Sequence, residues 1–336
     1  MSDTKQSSAY SAAGVDIESG NIATQLMAAT VKSTYTPEVL AGIGAFGGMF
    51  SAAGLAGMRS PVLVASTDGV GTKTKVAAKL NRWDTIGQDL VNHCVNDILV
   101  QGAQPLFFLD YVASSKLNPH QIATIVSGVA AACRIVGCAL LGGETAEMPG
   151  VYHDGEVDLV GTIIGVVERD SIINGSTIQA GDQLLGLPSH GLHTNGYSLA
   201  RRILDDHPEA WDQWGNALLA VHRCYLAEVK ALWAAGVTIR GLAHITGGGL
   251  IENPPRIFPP GLGAVIREGS WAIPPLFTDL ERLGNVARSE MYRVFNMGIG
   301  MVVTVHPSEV ASVQNVIPEA QVIGEMVEGA GDVRIE

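Results

Sequence analysis

A two-domain mixed fold, α/β or α+β, is expected from three features of this chain. Its 336 residues exceed the length of one ordinary domain. Hydrophobic residues make up 47% and charged residues only 16%, enough apolar material for sizeable cores. Apolar runs of strand length end repeatedly in glycines and acids, with amphipathic helical stretches between them. The boundary is placed after Val167, where Glu168-Arg169-Asp170 interrupts an apolar run, giving units 1–167 and 168–336.

Acidic residues outnumber basic ones, 33 to 21, for a net charge of -12. That argues against a nucleic-acid or anionic-membrane surface, where basic patches supply the affinity. A phosphorylated ligand would then be met locally, through a metal ion and backbone amides. Cys94, Cys133, Cys138 and Cys224 form no C-x-x-C pair, and the polar first twenty residues carry no secretory h-region. A cytoplasmic location is expected.

Residues 1–13 read as a polar tail. Asp16, Glu18 and Asn21 then open an amphipathic helix that ends at Lys32, placed there to oppose the helix dipole or to meet a phosphate. From Val39 to Met58 no residue is charged, yet six glycines rule out a membrane helix. Gly42-Ile43-Gly44-Ala45-Phe46-Gly47 matches G-x-G-x-x-G but lacks the preceding strand and following helix of a dinucleotide fold. A mobile loop that closes over a ligand, with Gly44 and Gly47 near its phosphates, is the better reading.

The next stretch organises the chain. The apolar run Val62-Leu63-Val64-Ala65 leads through Ser66-Thr67 into Asp68-Gly69-Val70-Gly71-Thr72-Lys73. Asp68 is suited to Mg²⁺, Gly69 and Gly71 let backbone N–H groups approach phosphate oxygens, and Thr72 and Lys73 add a hydroxyl and a charge. The competing reading is a glycine turn with a solvated lysine. Asp84 is the expected N-cap of a helix from Thr85 to Gln101, with Ile86, Leu90, Val91, Cys94, Val95, Ile98 and Leu99 on its core face. Its other face carries Asp89, His93, Asn96 and Asp97, mediocre helix formers but good ligands; Asp97 is read as a second metal ligand.

Leu106 to Tyr111 reads as a strand, and Asn118 caps a helix from Pro119 to Val136 that Gly137 closes. A strand from Cys138 to Leu141 enters Gly142-Gly143-Glu144-Thr145-Ala146-Glu147, where Glu144 or Glu147 would complete a metal site. The alternative there is a Gly-Gly turn with surface acids. Asp158 to Val167 is a buried strand. In the second unit a strand from Asp182 to Leu187 feeds the loop Ser189 to Ser198, whose His193, Thr194 and Asn195 offer donors to phosphate or ribose. A long helix is expected over 217–235. Thr246-Gly247-Gly248-Gly249 reads as an anion-binding turn at a helix start.

Asp68 to Lys73, Cys94-Val95-Asn96-Asp97, Pro105 to Tyr111, Gly142-Gly143-Glu144-Thr145-Ala146-Glu147-Met148-Pro149-Gly150, His193 to Leu199, Thr246 to Gly249 and Phe295-Asn296-Met297-Gly298-Ile299-Gly300 together resemble the phosphoribosylformylglycinamidine cyclo-ligase family. The likeness runs from Tyr10 onward. It implies ATP-dependent closure of formylglycinamidine ribonucleotide to aminoimidazole ribonucleotide, a step of purine synthesis that releases ADP and phosphate. It also implies an ATP-binding synthetase fold and a homodimer whose amino-terminal halves share a β-barrel, followed by an α+β domain. By motif position, Asp68 and Asp97 would hold Mg²⁺ with Glu144 near. Lys73 and the Gly42 to Gly48 loop would face the ATP phosphates, and His193 with Asn195 would approach the reacting amide.

Two places depart from the family pattern. Val221-His222 stands where Pro-Thr is usual before Arg-x-Tyr, and Pro254 replaces an aliphatic residue. Competing readings are another synthetase of the same superfamily or a non-catalytic nucleotide-binding module. The first cysteine, Cys94, is too late for a selenophosphate synthetase, and the acids a non-catalytic module would lose are present.

Overall fold

Residues 16–336 are described by a computed structural model. The polar tail expected over residues 1–13 lies outside the described residues. Helix α1 (Ile17–Lys32) starts at Asp16, whose carboxylate accepts the Glu18 N–H at 3.0 Å. Strands β1 (Val39–Ala41) and β2 (Met49–Phe50) pair antiparallel, so the glycine-rich segment read as a loop is the turn of a short hairpin.

The first half then runs β3 (Pro61–Gly69), α2 (Lys73–Leu80), α3 (Ile86–Leu99), β4 (Gln104–Ser114), α4 (Pro119–Val136), β5 (Ala139–Glu147) and β6 (Val157–Glu168). Its sheet has the order β3-β6-β4-β5, antiparallel except for the β4/β5 pair. Parallel neighbours need a crossover, and α4 supplies it. The Asn118 side chain accepts two N–H groups of the first turn, and Gly137 ends the helix at φ 77°. The apolar face of α3 is buried as its period requires, each large side chain contributing about 1.5–3 kcal/mol.

The second half contains β7 (Gln183–Pro188), α5 (Tyr197–Asp206), α6 (Glu209–Trp214), α7 (Leu226–Ala234), β8 (Gly241–His244), α8 (Gly249–Glu252), β9 (Leu262–Ile266), α9 (Pro275–Gly284), α10 (Arg288–Val294), β10 (Ile299–Val305), α11 (Val310–Val316), β11 (Gln321–Glu328) and β12 (Val333–Ile335). Six strands lie in the order β12-β9-β11-β7-β10-β8, with only β12/β9 parallel. No helix among the described residues is long and apolar enough to cross a membrane.

Three expectations change. The glycine-acid run 142–147 is not a loop but the second half of β5, paired residue by residue with β4. Asp84 does not cap α3; its carboxylate takes Arg82 at 3.1 Å and the helix begins at Ile86. The long helix over 217–235 is broken: a 3-10 turn at Ala217–Leu219 is followed by non-helical residues 221–225, and α7 starts only at Leu226. Side chains of α3 capture the backbone of those residues, as described next.

Candidate active site

The polar face of α3 joins the two halves. Asn92 Nδ2 donates to the His222 carbonyl at 2.7 Å, and Asn96 Nδ2 to the Arg223 carbonyl at 2.8 Å. Asn96 Oδ1 accepts the Tyr225 N–H at 3.0 Å, and Asp89 Oδ1 accepts the His222 N–H at 2.7 Å. Four bonds to successive backbone groups offset those a helix would have formed there.

Lys73 belongs to the same junction. Its Nζ donates to Asp89 Oδ1 at 2.9 Å, to the His193 carbonyl at 3.1 Å and to the Ala220 carbonyl at 2.7 Å, with no solvent exposure. Three donors meet three acceptors, so none remains for a phosphate. The expected phosphate contact is therefore corrected to an internal tie. Burial pushes Asp89 up and Lys73 down, toward their neutral forms, against their mutual attraction.

At the end of β3 the paired acids do come together. His93 Nε2 lies 2.7 Å from Asp68 Oδ2 and 3.7 Å from Asp97 Oδ2. Asp97 also accepts from the Ser66 hydroxyl at 3.0 Å and from His244 Nδ1 at 2.8 Å. Burial opposes the charge on both acids, but the bond and charge of His93 with the Gly69 N–H at Asp68, and the bond and charge of His244 with the His93 charge and the Ser66 hydroxyl at Asp97, together outweigh it and hold each below the usual carboxylate range. His93 is raised: burial disfavours its cation, and the bond to Asp68 with the Asp97 charge overcomes that. Asp97, His244, Ser66, Thr246, Asn253 and Arg256 line a cavity of about 600 Å³ between the halves.

Glu144 is elsewhere. Gly69 pairs with Val160, Val160 with Tyr111 and Tyr111 with Glu144, so three strand spacings, roughly 14 Å, separate it from the Asp68 end of β3. Within one chain it does not complete a site with Asp68 and Asp97. It lines, with Gly44, Gly142, Gly143, Thr24 and Asp110, a second cavity of about 310 Å³ beneath the hairpin. Gly143 has no room for a side chain, since a Cβ there would stand 1.8 Å from Asp110 Oδ1. Glu147 is structural, its carboxylate accepting the Leu117 N–H at 2.8 Å. Gly47 has open space around it, and Lys32 is exposed in the last turn of α1.

The remaining expected residues divide. Gly69 N–H turns back onto the Asp68 carboxylate at 2.6 Å, Gly71 holds φ 56° before α2, and the Thr72 hydroxyl meets Ser198 Oγ at 3.1 Å. Gly247 and Gly248 form the turn between β8 and α8, and a Cβ at Gly247 would lie 3.3 Å from Asn195 Oδ1. Asn195 Nδ2 is buried without a hydrogen-bond partner among the described residues. The Thr72–Ser198 bond joins the two halves, and Asn195 stands against the Gly247 turn.

His193 does not join them as a free base. Its ring is wholly buried, stacked on His222 with centroids 3.9 Å apart, and Nε2 accepts the His190 N–H at 3.1 Å and the Arg223 N–H at 3.4 Å. Gly300 makes room for it, because a Cβ there would stand 2.4 Å from His193 Cε1. Burial and the surrounding cationic groups hold His193 and His222 well below the usual histidine range. The imidazoles that reach the acids are His93 and His244. His93 was visible four residues before Asp97; His244 had only its place at the end of a strand, just before the glycine turn, to mark it.

Two family models match the chain: AIR synthase related protein, N-terminal domain, over residues 52–167, and AIR synthase related protein, C-terminal domain, over residues 179–336. Phosphoribosylformylglycinamidine cyclo-ligase of Desulfitobacterium hafniense is 53% identical over 330 residues, covering 96% of both chains. That of Geobacillus kaustophilus is 54% identical over 336 residues, again covering 96% of both. This chain belongs to the phosphoribosylformylglycinamidine cyclo-ligase family. It is an enzyme, a ligase of purine biosynthesis, as the resemblance implied. Solved structures share the family's fold at lower identity. Hydrogenase maturation protein HypE in complex with ATP superposes with a TM-score of 0.69 at 18% identity, covering 96% of this chain and 92% of that one. Thiamine-monophosphate kinase from Stenotrophomonas maltophilia K279a gives 0.66 at 16%, covering 93% and 96%.

Proposed function

We propose that the cleft between the halves closes the imidazole ring of formylglycinamidine ribonucleotide at the expense of ATP. The observation that carries this reading is the pair Asp68 and Asp97, both held ionised and joined through His93, with Asp97 lining a cavity that also presents Arg256. Phosphoryl transfer to the formamide oxygen makes it a leaving group, and the amidine nitrogen then attacks that carbon, releasing phosphate. Such a reaction asks the protein for positioning and charge neutralisation.

Two carboxylates and the Ser66 hydroxyl are the hard oxygen donors that Mg²⁺ favours, and they fit it. The ion would supply charge neutralisation to the ATP phosphates. Asn195 offers its unpartnered amide to the reacting amide or its phosphate, and Arg256 supplies the cation that Lys73 does not. The cavity walled by Gly44, Gly142, Gly143 and Glu144 would take the nucleoside end of ATP, since those groups lie too far along the sheet to share the phosphates with Asp68.

The same reading includes the division into units 1–167 and 168–336, a cytoplasmic location suited to four free thiols, and a homodimer. The first sheet is covered by α3 and α4 on one face, while Leu63 on β3 and Leu40 and Met49 on the hairpin remain exposed. Two such surfaces closing on each other would give the shared barrel. The deciding assay follows ADP and aminoimidazole ribonucleotide together, with Mg²⁺, ATP and formylglycinamidine ribonucleotide. Equal appearance of both products is expected; ADP without the ribonucleotide product would overturn the assignment.

A further inference from the structure

Thr194, one of the loop residues expected to meet phosphate or ribose, is buried and turns its hydroxyl inward. Its Oγ1 lies 2.6 Å from His93 Nδ1 and 3.3 Å from His222 Nδ1. A hydroxyl both donates and accepts, so the short contact persists whichever atom supplies the proton. His93 faces Asp68 with its other ring nitrogen, 2.7 Å from Oδ2. Thr194 in the second half and Asp68 at the end of β3 are thus the two ends of one bridge.

The loop that carries Thr194 is fixed from the residue before it. His193 sits at φ 60°, a left-handed conformation that costs a non-glycine residue about 1–3 kcal/mol. Its carbonyl accepts from Lys73 Nζ and from the Tyr197 hydroxyl, both at 3.1 Å, and its Nε2 accepts the His190 and Arg223 N–H groups. Those four bonds hold the backbone there and give Thr194 one place. Around His93 the rings of His222 and His244 stand edge-on with centroids 5.2 Å away, so it too has little room to turn.

The two acids are therefore registered to the second half by different routes. Asp97 has a direct bond from His244 at the end of β8. Among the described residues Asp68 has no such bond: apart from its own Gly69 N–H, its partner is His93. We infer that Thr194 is a positioning residue of the candidate metal site, which sets Asp68 against Asp97 by holding His93 from across the cleft. It touches neither acid and acts only through the ring. Such sites tolerate displacements of only about 0.5 Å, and outer partners that orient ligand groups are typically worth about 10–100-fold in metal affinity. The inference rests on Asp68 and Asp97 being the ion's ligands, as proposed above.

The test is Mn²⁺ binding to the full-length protein, read without turnover from the paramagnetic resonance signal of the free ion, since oxygen donors take Mn²⁺ in place of Mg²⁺. Thr194→Val keeps the shape but loses the hydroxyl and should weaken Mn²⁺ about tenfold, whereas Thr194→Ser should bind within about twofold of wild type. Thr194→Val should also lower kcat with the KM for formylglycinamidine ribonucleotide unchanged, and should cost nothing further once His93→Met has removed the ring. Asp68→Asn is the control. If it weakens Mn²⁺ and Thr194→Val does not, Thr194 loses its role and the metal site stands. If the wild type binds no Mn²⁺, or Asp68→Asn binds it equally well, the acid pair is not the ion site and the inference falls with it. An equal loss from Thr194→Val with and without His93 would overturn action through the ring. Should Thr194→Val lose its native melting transition, His93→Met decides instead, and wild-type Mn²⁺ affinity in that variant would overturn the bridge.

Discussion

Lys73 Nζ stands 2.9 Å from Asp89 Oδ1 with both side chains wholly out of solvent, one contributed by α2 and the other by α3. The same amine reaches the carbonyls of His193 and Ala220 and so ties the first half to the second. Removing one member leaves the other charge buried and unpaired. Lys73→Met should lower stability by about 3–5 kcal/mol, and adding Asp89→Leu should recover part of the loss. Denaturant unfolding of the single and double variants checks this. A phosphate-binding lysine would instead leave stability unchanged and raise the KM for ATP.

Asp68→Asn and Asp97→Asn should each abolish measurable turnover with the fold retained. Both acids lie at the cleft and are partly exposed, so neither carries the core. Each also makes bonds that an amide can partly keep, from His93 to Asp68 and from His244 to Asp97. Product formation and circular dichroism, measured on the same preparations, separate chemistry from folding. Wild-type turnover in either variant would remove that residue from the metal site.

What the sequence showed well were features governed by neighbours in the chain. Asn118, Pro119 and Gly137 bound α4 because caps and φ preferences act within a turn. The apolar period of α3 and the run forming β6 announced their buried faces for the same reason. Local pattern misled where a distant partner decides. Residues 221–225 read as helix until Asp89, Asn92 and Asn96, some 130 positions earlier, capture their backbone. Glycine and glutamate disfavour strands, yet 142–147 completes β5 because β4 offers an unpaired edge. Lys73 read as a phosphate contact because its acceptors His193 and Ala220 lie in the other half. Asp68 and Asp97 were found together since a strand end and a helix face each present one acid to the same cleft.

Leu63 is 63% exposed on β3, a position where a large aliphatic side chain gains nothing in an isolated chain. If the bare face of the first sheet is the dimer contact, Leu63→Glu should place like charges across the two-fold axis and yield monomers. Sedimentation equilibrium at several protein concentrations reads this directly. A monomeric wild type, or an unchanged dimer in the variant, would remove this face from the proposed barrel.

Asp110 is a half-buried acid beneath the hairpin, packed against Gly143, and withdrawal of its carboxyl from solvent pushes it up to about 7. Between the unfolded value near 3.8 and about 7, the folded chain therefore holds a proton that the unfolded chain has released. Stability from this group is fully present below the lower value and falls as pH rises toward the upper one. Asp110→Asn imitates the protonated acid at every pH. The variant should gain on the wild type progressively from pH 4 to pH 7 and level off above it, as read from melting temperatures across that range. A constant difference between the two would mean that Asp110 keeps one protonation state throughout, and that the cavity it lines with Glu144 is wetter than its burial implies.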